Sequence, residues 1–478
     1  MLQDAGAAAA TSVALDDVEL DQQKGGEKIT TGKAFGKLPL LSESFMKLRK
    51  KNISSDIHAL FTLNKAPSQS ALRKTLTNLI ETFPLFSSRP HFQSGLLGFW
   101  DFLRPSFLRR NRWKYNEDDV MNHVKRAEIE DGKENIEDYI SKCMMDEMPE
   151  RGGLWEVHVV QAASCCYMVW RISHAIGDGV ILTKALLALC EEVTAPTKKS
   201  SAKKRKKKRI NPFSVAFDGA KSVLKLSALP NMPGDAKTPV RVSSGKQLTC
   251  QKMFRFSNAL SLAEAKAAAK RRCCTINDII TAAVSEAISK YCAEEGKAPR
   301  NMRMLTVTNL RALSAKKLEN EVAKFKLGMG SNAFSYFFLR IPTGDDISLE
   351  KRLAICKARL NKLKASPEAL VLLKMNESLR SLFGLRFVVN FNKFALSKIT
   401  GYFSNLPGPS HQLSIAGEPI IGMCNAVVPS MFGIGVSILS YNGSIVISLS
   451  SEASVVKNPR RLIELSEIAF KKLIAVDS

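Results

Sequence analysis

A basic run, in which nine Lys or Arg residues fall within fifteen positions, divides this 478-residue chain into two stretches, each of which alternates between helix-like and strand-like patterns. The run lies within residues 196–210, PTKKSSAKKRKKKRI. Because like charges at this density repel one another and stay solvated, we interpret the run as a disordered linker. A chain of this length also exceeds a single core of ordinary size. The sequence therefore predicts two α/β halves, at 39–195 and 245–478, joined by a basic segment at 196–244.

The composition of the chain limits its possible partners. Hydrophobic residues make up 45% of the chain, which is enough for a large core, and the formal net charge is +25. Such a charge favours anionic partners, which include nucleic acid, an anionic membrane surface and a phosphate-bearing cosubstrate. The basic run could also be a nuclear-localisation signal or a nucleic-acid patch. No aromatic residues are interleaved with it, so we do not expect nucleic acid as a partner.

The cysteines and the N-terminus indicate the compartment. The ten cysteines include no C-x-x-C pair, which argues against both a zinc site and a disulfide framework. We expect no metal, and a reducing compartment. Residues 1–38 are rich in alanine and acidic residues, predict a disordered tail and contain no signal-peptide pattern. No apolar run reaches the roughly 20 residues that a membrane span needs, so we expect membrane contact to be peripheral.

Several elements can be placed from periodicity. "LWEVHVVQ" and the apolar "CCYMVWRI" predict a hairpin, and the amphipathic segment before Pro84 predicts a helix. "TINDIITAAVSEAI" predicts a helix with a capping box at Thr275 and Asp278. "GVSILSYNGSIVISLS" predicts a hairpin with Asn442 at its tip, and a last helix begins at Asn458.

Two segments could contact a membrane. Residues 211–230 follow the basic run, begin with a good N-cap and Pro212, and place Phe213, Phe217 and Leu224 on one face. This pattern is typical of a membrane-surface helix, although a helix packed on its own protein has the same pattern. Residues 95–113 combine aromatic residues with arginines and are a second candidate.

The segment "SHAIGDG", residues 173–179, leaves the apolar strand with chemistry-bearing side chains. His174 stands four residues before Asp178, which has a glycine on either side. Imidazole accepts a proton from a hydroxyl at neutral pH, and glycine permits the close approach of another molecule. The alternative is a core histidine satisfied by backbone groups.

These residues resemble a known active-site motif. H-x-x-x-D-G after a strand is similar to the motif of the CoA-dependent acyltransferase superfamily. Further segments resemble the bifunctional wax ester synthase/diacylglycerol acyltransferase family and occur in the family's order between about 40 and 475. They are "FPLFSSR", "LWEVHVVQ", "DAKTP", "TINDIITAAVSEAI", "SNAFSYFFLRIPTG" and "SNLPGP".

The resemblance implies an α/β (α+β) fold of two chloramphenicol-acetyltransferase-like subdomains, related by pseudo-symmetry, with a tunnel between them. It implies that His174 is both general base and general acid, that Asp178 is structural and pairs with Arg311, and that Gly179 keeps the channel clear. Further motif positions carry over to Asn277, Asp278, Asn332, Ser404 and Asn405. Asn277 and Asp278 match an N-D motif, but the capping box explains Asp278 without catalysis, whereas Ser404 and Asn405 are expected to line the tunnel.

The chain departs from the family pattern at three positions. Ser173 replaces the first histidine of H-H-x-x-x-D-G, Ser331 replaces a glycine, and Gly153 replaces a proline. Because the superfamily's second histidine is the base, the resemblance implies that Ser173 leaves the mechanism intact. We expect Ser173→His to give similar or higher activity.

The implied activity is transfer of a long-chain acyl group from acyl-CoA, a cosubstrate, to diacylglycerol or a fatty alcohol, with no further cofactor. The expected location is the cytosolic face of the endoplasmic reticulum or the lipid-droplet surface. Alternatives are the same fold acting on a sterol, a short alcohol or an amine, and a catalytically decayed lipid-binding protein.

Overall fold

The computed structural model describes residues 34–38, 40–49, 54–91, 112–149, 152–193, 221–224, 231–242, 251–296, 298–309, 315–328 and 332–475. In these ranges the chain forms two seven-stranded sheets, a three-stranded sheet and the helices that cover them.

The secondary structure alternates along both halves. The strands before the basic segment are β1 Ala34–Lys37, β2 Ile57–Leu63, β3 Ser88–His91, β4 Arg112–Tyr115, β5 Val124–Glu128, β6 Trp155–Gln161, β7 Cys166–Ile172 and β8 Cys190–Glu192. Those after it are β9 Lys252–Phe256, β10 Leu260–Ser261, β11 Asn301–Asn309, β12 Phe334–Pro342, β13 Gly401–Pro407, β14 Leu413–Ile415, β15 Glu418–Val427, β16 Ile434–Tyr441 and β17 Ser444–Glu452. The helices are α1 Leu40–Arg49, α2 Gln69–Thr82, α3 Lys133–Cys143, α4 Gly179–Leu187, α5 Leu262–Arg271, α6 Ile276–Glu294, α7 Ala315–Lys326, α8 Leu349–Lys364, α9 Glu368–Leu396 and α10 Pro459–Ile474.

The first large sheet has the strand order β5-β6-β7-β2-β15-β14-β8. Its β6–β7 hairpin is the one predicted from the sequence. Residues 168–172 of β7 are all buried, as expected for a strand covered on both faces. Arg171, the charged residue of this stretch, pairs with Glu156 on β6.

The second large sheet has the order β10-β17-β16-β13-β11-β12, with β9 paired to β17. Helix α6 packs on it with α8 and α10 and buries its predicted apolar stripe. The predicted capping box is present at the start of α6, where Thr275 and Asp278 bond each other's backbone. At the predicted tip of the β16–β17 hairpin, Asn442 and Gly443 both have positive φ, which suits a two-residue turn.

The second half of the chain contributes two strands to the first sheet, so the two large sheets do not coincide with the contiguous stretches 39–195 and 245–478. Strands β14 and β15 belong to the second half of the chain but lie in the first sheet, where β15 pairs with β2 and β14 pairs with β8. Local periodicity cannot reveal this contribution, because it depends on pairing between residues more than 200 positions apart.

Three further expectations have mixed outcomes. The tail predicted over 1–38 ends earlier than expected, because residues 34–37 form β1, which pairs with β4. Of the amphipathic segment 211–230, the structure describes residues 221–224, which are helical. The basic run at 196–210 and most of the segment 95–113 lie outside the described residues. Within the described ranges, no helix combines the length and apolar character needed to cross a bilayer.

Candidate active site

The loop from Ser173 to Asp178 connects β7 to α4 and is held by its own backbone. The Ser173 N–H donates to Leu154 O at 2.9 Å, and the Ile176 N–H donates to Ser173 O at 3.0 Å. Ser173 is buried, and its Oγ accepts a bond from the Ala175 N–H at 3.4 Å. A Cβ on Gly177 would lie 2.5 Å from Ile181 Cγ2, so glycine is required there by packing. The turn therefore places His174 at a fixed position.

The His174 ring lies between two aromatic side chains. It stacks on Phe45 of α1 at a centroid distance of 4.4 Å and an interplanar angle of 21°, and it lies 5.3 Å from Phe334 of β12. Its Nδ1 is buried and has no hydrogen-bond partner among the described residues. Because Nδ1 is buried while the side chain lines the cavity described below, we infer that a bound molecule would meet the ring at Nε2.

The environment keeps His174 neutral. Burial lowers the pKa of this imidazole below its ordinary value of 6.5, and the negative charges of Asp178 and Asp56 offset part of that decrease. A neutral imidazole at neutral pH accepts a proton, which is the state a general base requires. His174 also lines the cavity described below, which favours its interpretation as a proton acceptor over that of a histidine that only fills the core.

Asp178 braces the loop against the other half of the chain. It is the N-cap of α4, where its Oδ1 accepts bonds from the N–H groups of Val180 and Ile181 at 3.1 and 3.2 Å. Its Oδ2 accepts a bond from the Ala333 N–H at 2.9 Å. Arg311, the predicted partner, lies outside the described residues, so that pairing stays a prediction.

Asn332 links three segments at the same place. Its Nδ2 donates to the backbone carbonyl of His174 at 3.0 Å and to Ser42 Oγ of α1 at 2.9 Å. The family motif identified Asn332, but Ser42 and Phe45 were missed, because α1 carries no motif and their role depends on how α1 packs over the loop. Phe334 lies in the motif segment SNAFSYFFLRIPTG, but the alternation of apolar and polar residues in a strand does not predict its contact with His174.

The cavity beside His174 has a volume of about 920 Å³ and is lined by both halves of the chain. This volume lies near the upper end of the range for small-molecule sites. Much of its wall is apolar and includes Ile57, Leu182, Leu305, Phe334, Val389 and Phe432. The location of the cavity agrees with the predicted space between two subdomains.

Three predicted residues face this cavity. Gly179 is the first residue of α4, and a Cβ there would have only Leu406 Cδ2 within 4.0 Å, so it would project into open space. Ser404 and Asn405 line the cavity from β13. All three therefore border the cavity.

Asn277 and Asp278 do not line the cavity. Asp278 Oδ2 accepts a bond from the Thr275 N–H at 2.8 Å, which is the expected capping geometry, and its Oδ1 is buried without a partner in the described part of the chain. Asn277 Oδ1 accepts a bond from Asn405 Nδ2 at 3.3 Å. Asp278 thus stabilises the start of α6, and Asn277 contacts Asn405 of the cavity wall.

Comparisons with known proteins agree with this arrangement. Residues 330–474 match the family model of the WS/DGAT C-terminal domain. The chain is 22% identical over 399 residues to wax ester synthase/diacylglycerol acyltransferase 11 of Arabidopsis thaliana, covering 74% of this chain and 81% of that protein. It is 25% identical over 390 residues to wax ester synthase/diacylglycerol acyltransferase 2 of the same plant, covering 74% and 80%.

Solved structures with low sequence identity share the fold. The wax ester synthase/diacylglycerol acyltransferase from Marinobacter aquaeolei VT8 superposes with a TM-score of 0.61 at 13% identity, covering 91% of this chain and 98% of that one. The first condensation domain of the calcium-dependent antibiotic synthetase superposes with a TM-score of 0.59 at 11% identity, covering 93% and 96%. The predicted acyltransferase-like α/β architecture is confirmed.

Proposed function

Because this chain belongs to the wax ester synthase/diacylglycerol acyltransferase family, we propose that it transfers a long-chain acyl group from acyl-CoA to the hydroxyl of diacylglycerol or a fatty alcohol. The products would be triacylglycerol or wax ester. The observation that carries the proposal is a neutral histidine on the wall of a large and mostly apolar cavity. Such a cavity suits acyl chains, and such a histidine suits proton transfer.

His174 would act twice in one reaction. Its Nε2 removes the proton of the acceptor hydroxyl while that oxygen forms a bond to the thioester carbonyl carbon. The C–S bond then breaks, and the imidazolium returns the proton to the CoA thiolate. Ester and CoA thiol are thus formed with atoms balanced, and no cofactor is needed beyond acyl-CoA as cosubstrate.

The surrounding residues would hold the base in place. Asn332 binds the His174 carbonyl, Asp178 fixes the loop, and Phe45 packs on one face of the ring. This arrangement limits the motion of the imidazole relative to the cavity, which favours a reactive alignment. Ser173 contributes to the turn through its Oγ, and we assign it no part in the proton transfer.

Replacement of the base tests the proposal. We expect His174→Ala to lower the rate of CoA release from palmitoyl-CoA and hexadecanol, or dioleoylglycerol, by about 100-fold or more, the usual contribution of a general base. The matched control is His91→Ala, because His91 is exposed and does not line the cavity. If His174→Ala keeps most of the ester-forming activity, the general-base role is wrong.

The same proposal includes a location. We place the protein at the cytosolic face of the endoplasmic reticulum or at lipid droplets, as a peripheral protein, because its proposed substrates dissolve in lipid and its net charge of +25 favours anionic surfaces. Cell fractionation with and without residues 198–228 tests this. Release of the truncated protein into the soluble fraction would support attachment through this segment, and unchanged fractionation would exclude it as the anchor.

A further inference from the structure

Helix α9 has two faces with different surroundings. Its inner face contributes Val389, Asn392 and Leu396 to the cavity wall. Its outer face presents Phe383, Phe387 and Phe394 to solvent at 49, 42 and 53% exposure. The helix is interrupted at Gly384, which has a φ of 78°. A soluble protein rarely exposes several aromatic side chains along a single helix without a partner for them.

The exposed rings form a ladder, which we call the α9 aromatic ridge and define as Phe383, Phe387, Phe391 and Phe394. The centroids of Phe383 and Phe387 lie 4.8 Å apart, and those of Phe387 and Phe391 lie 6.2 Å apart. Beside the ridge, Lys398 Nζ lies 4.4 Å from the centroid of the Phe394 ring. The ridge is therefore a continuous apolar strip.

From residue 378 onward, the exposed charged side chains of α9 are basic. These are Arg386 and Lys393, and Lys398 follows the helix, whereas Arg380 is largely buried in an ion pair with Glu43 of α1 at 2.7 Å. No acidic residue occurs in the sequence between 378 and 417. Phenylalanines beside basic residues are the composition of helices that lie in the interface of an anionic membrane.

One exposed residue of the cavity wall lies close to this helix. Val307 of β11 lines the cavity and is 38% exposed. Its cross-strand partner Tyr336 donates a hydrogen bond to Asn392 Oδ1 of α9 at 3.1 Å. The exposed part of the cavity wall at Val307 therefore lies next to the helix that carries the ridge.

We propose that the α9 aromatic ridge docks on an anionic phospholipid surface and that apolar substrates enter the cavity from that surface beside Val307. This inference rests on the proposed function, since it names the surface from which that site receives its substrates. A second copy of the chain is a poorer occupant, because two like ridges in contact would bring their basic rims together. A phospholipid surface supplies both the apolar layer for the rings and the negative charge for the rim.

Vesicle flotation of the full chain tests the docking surface. The probes are phosphatidylcholine vesicles with and without phosphatidylserine. The main variant is Phe387→Ser/Phe394→Ser, and a second variant is Arg386→Gln. Neither phenylalanine lines the cavity. Matched controls are Ile468→Ser, which removes an equally exposed apolar side chain from α10, and Lys457→Gln, which removes an exposed charge elsewhere.

We expect the wild type to bind the phosphatidylserine vesicles more tightly than the neutral ones. The double variant should lose about tenfold in partition coefficient, which corresponds to removing part of the transfer free energy of two half-exposed rings. Arg386→Gln should lose about fivefold on the anionic vesicles, because one basic residue is neutralised. Both control variants should partition as the wild type does.

CoA release in neutral detergent micelles separates the two proposals. In micelles the double variant should match the wild type, which also shows that it is folded. If the wild type releases CoA but the double variant still binds anionic vesicles normally, the docking surface is wrong and the proposed function stands. If vesicle binding depends on the ridge while no CoA is released, the proposed function is wrong. A wild-type dimer that the double variant dissociates in ultracentrifugation would overturn the lipid assignment in favour of self-association.

Discussion

Substitution of Asp178 by asparagine separates a structural brace from a catalytic carboxylate. In the wild type one carboxylate oxygen caps α4 and the other accepts the Ala333 N–H. Asparagine is nearly the same size but has a single acceptor oxygen. It can therefore satisfy the cap or the bridge to Ala333, but not both.

The magnitude follows from these contacts. A hydrogen bond between an N–H and a buried charged group contributes about 1.5–3 kcal/mol, so we expect Asp178→Asn to lower the free energy of unfolding by about that amount. Asp178→Ala also loses the remaining acceptor, and loss of a helix N-cap costs about 1 kcal/mol more. The order of stability should be wild type, then asparagine, then alanine.

The pH dependence supplies a second measurement. The negative charge of Asp178 raises the pKa of His174 against the larger lowering caused by burial. Removing that charge should therefore lower the pKa of His174 further. The acid limb of kcat/KM should move to lower pH in Asp178→Asn, and activity should begin to fall at a more acidic pH than in the wild type.

The assays are urea denaturation and the pH profile of CoA release, with Asp345→Asn as the control because Asp345 is exposed and distant from the motif loop in sequence. Normal stability together with a rate loss of more than about 100-fold, and an unmoved acid limb, would refute the brace. Asp178 would then be a direct participant in the reaction.

Three further predictions follow from the same site and fold. Because the pKa of His174 is lowered below 6.5, the midpoint of the acid limb of kcat/KM in the wild type should lie below pH 6.5; a midpoint at or above pH 6.5 would contradict the neutral base. Gly177→Ala should lower the free energy of unfolding by about 1–3 kcal/mol, because the added Cβ meets Ile181. Gly179→Ala should leave the free energy of unfolding unchanged and instead raise KM for long-chain substrates, because its Cβ projects into the cavity. Equal losses of stability in the two variants would contradict the packing argument. Fragment 1–195 expressed alone should lack a cooperative unfolding transition, because its sheet lacks β15 and β14. Co-expression with 196–478 should restore the transition. A cooperative transition in the fragment alone would show that the fragment folds without these two strands.

The sequence predicts the local elements of this molecule well because each depends on nearby residues. The β6–β7 hairpin follows from alternation and a short connection, and the cap of α6 follows from Thr275 and Asp278 three positions apart. His174, Asp178 and Asn332 were identified by motifs that place chemistry at strand ends. Ser404 and Asn405, which the motifs also indicate, line the cavity wall.

The missed features depend on distant contacts. Phe45 stacks on His174 and Ser42 binds Asn332, but the helix that carries them has no distinctive sequence. The α9 aromatic ridge was also missed, because in a single sequence the apolar residues of a 29-residue helix indicate burial as readily as exposure. Only the packing of one face of α9 against the cavity shows that the other face is left to solvent.

The position of β14 and β15 in the first sheet explains why the candidate site has residues from both halves. Strand β15 lies beside β2, and each contributes side chains to the cavity wall, including Asn425 and Ile57. At the opposite side of the loop, Ala333 and Asn332 precede β12 of the second sheet and bind Asp178 and the His174 carbonyl. The base is therefore held by contacts that exist only when the two halves are joined. Relative movement of the halves would change the position of His174 and the shape of the cavity together, which couples substrate space to the geometry of proton transfer.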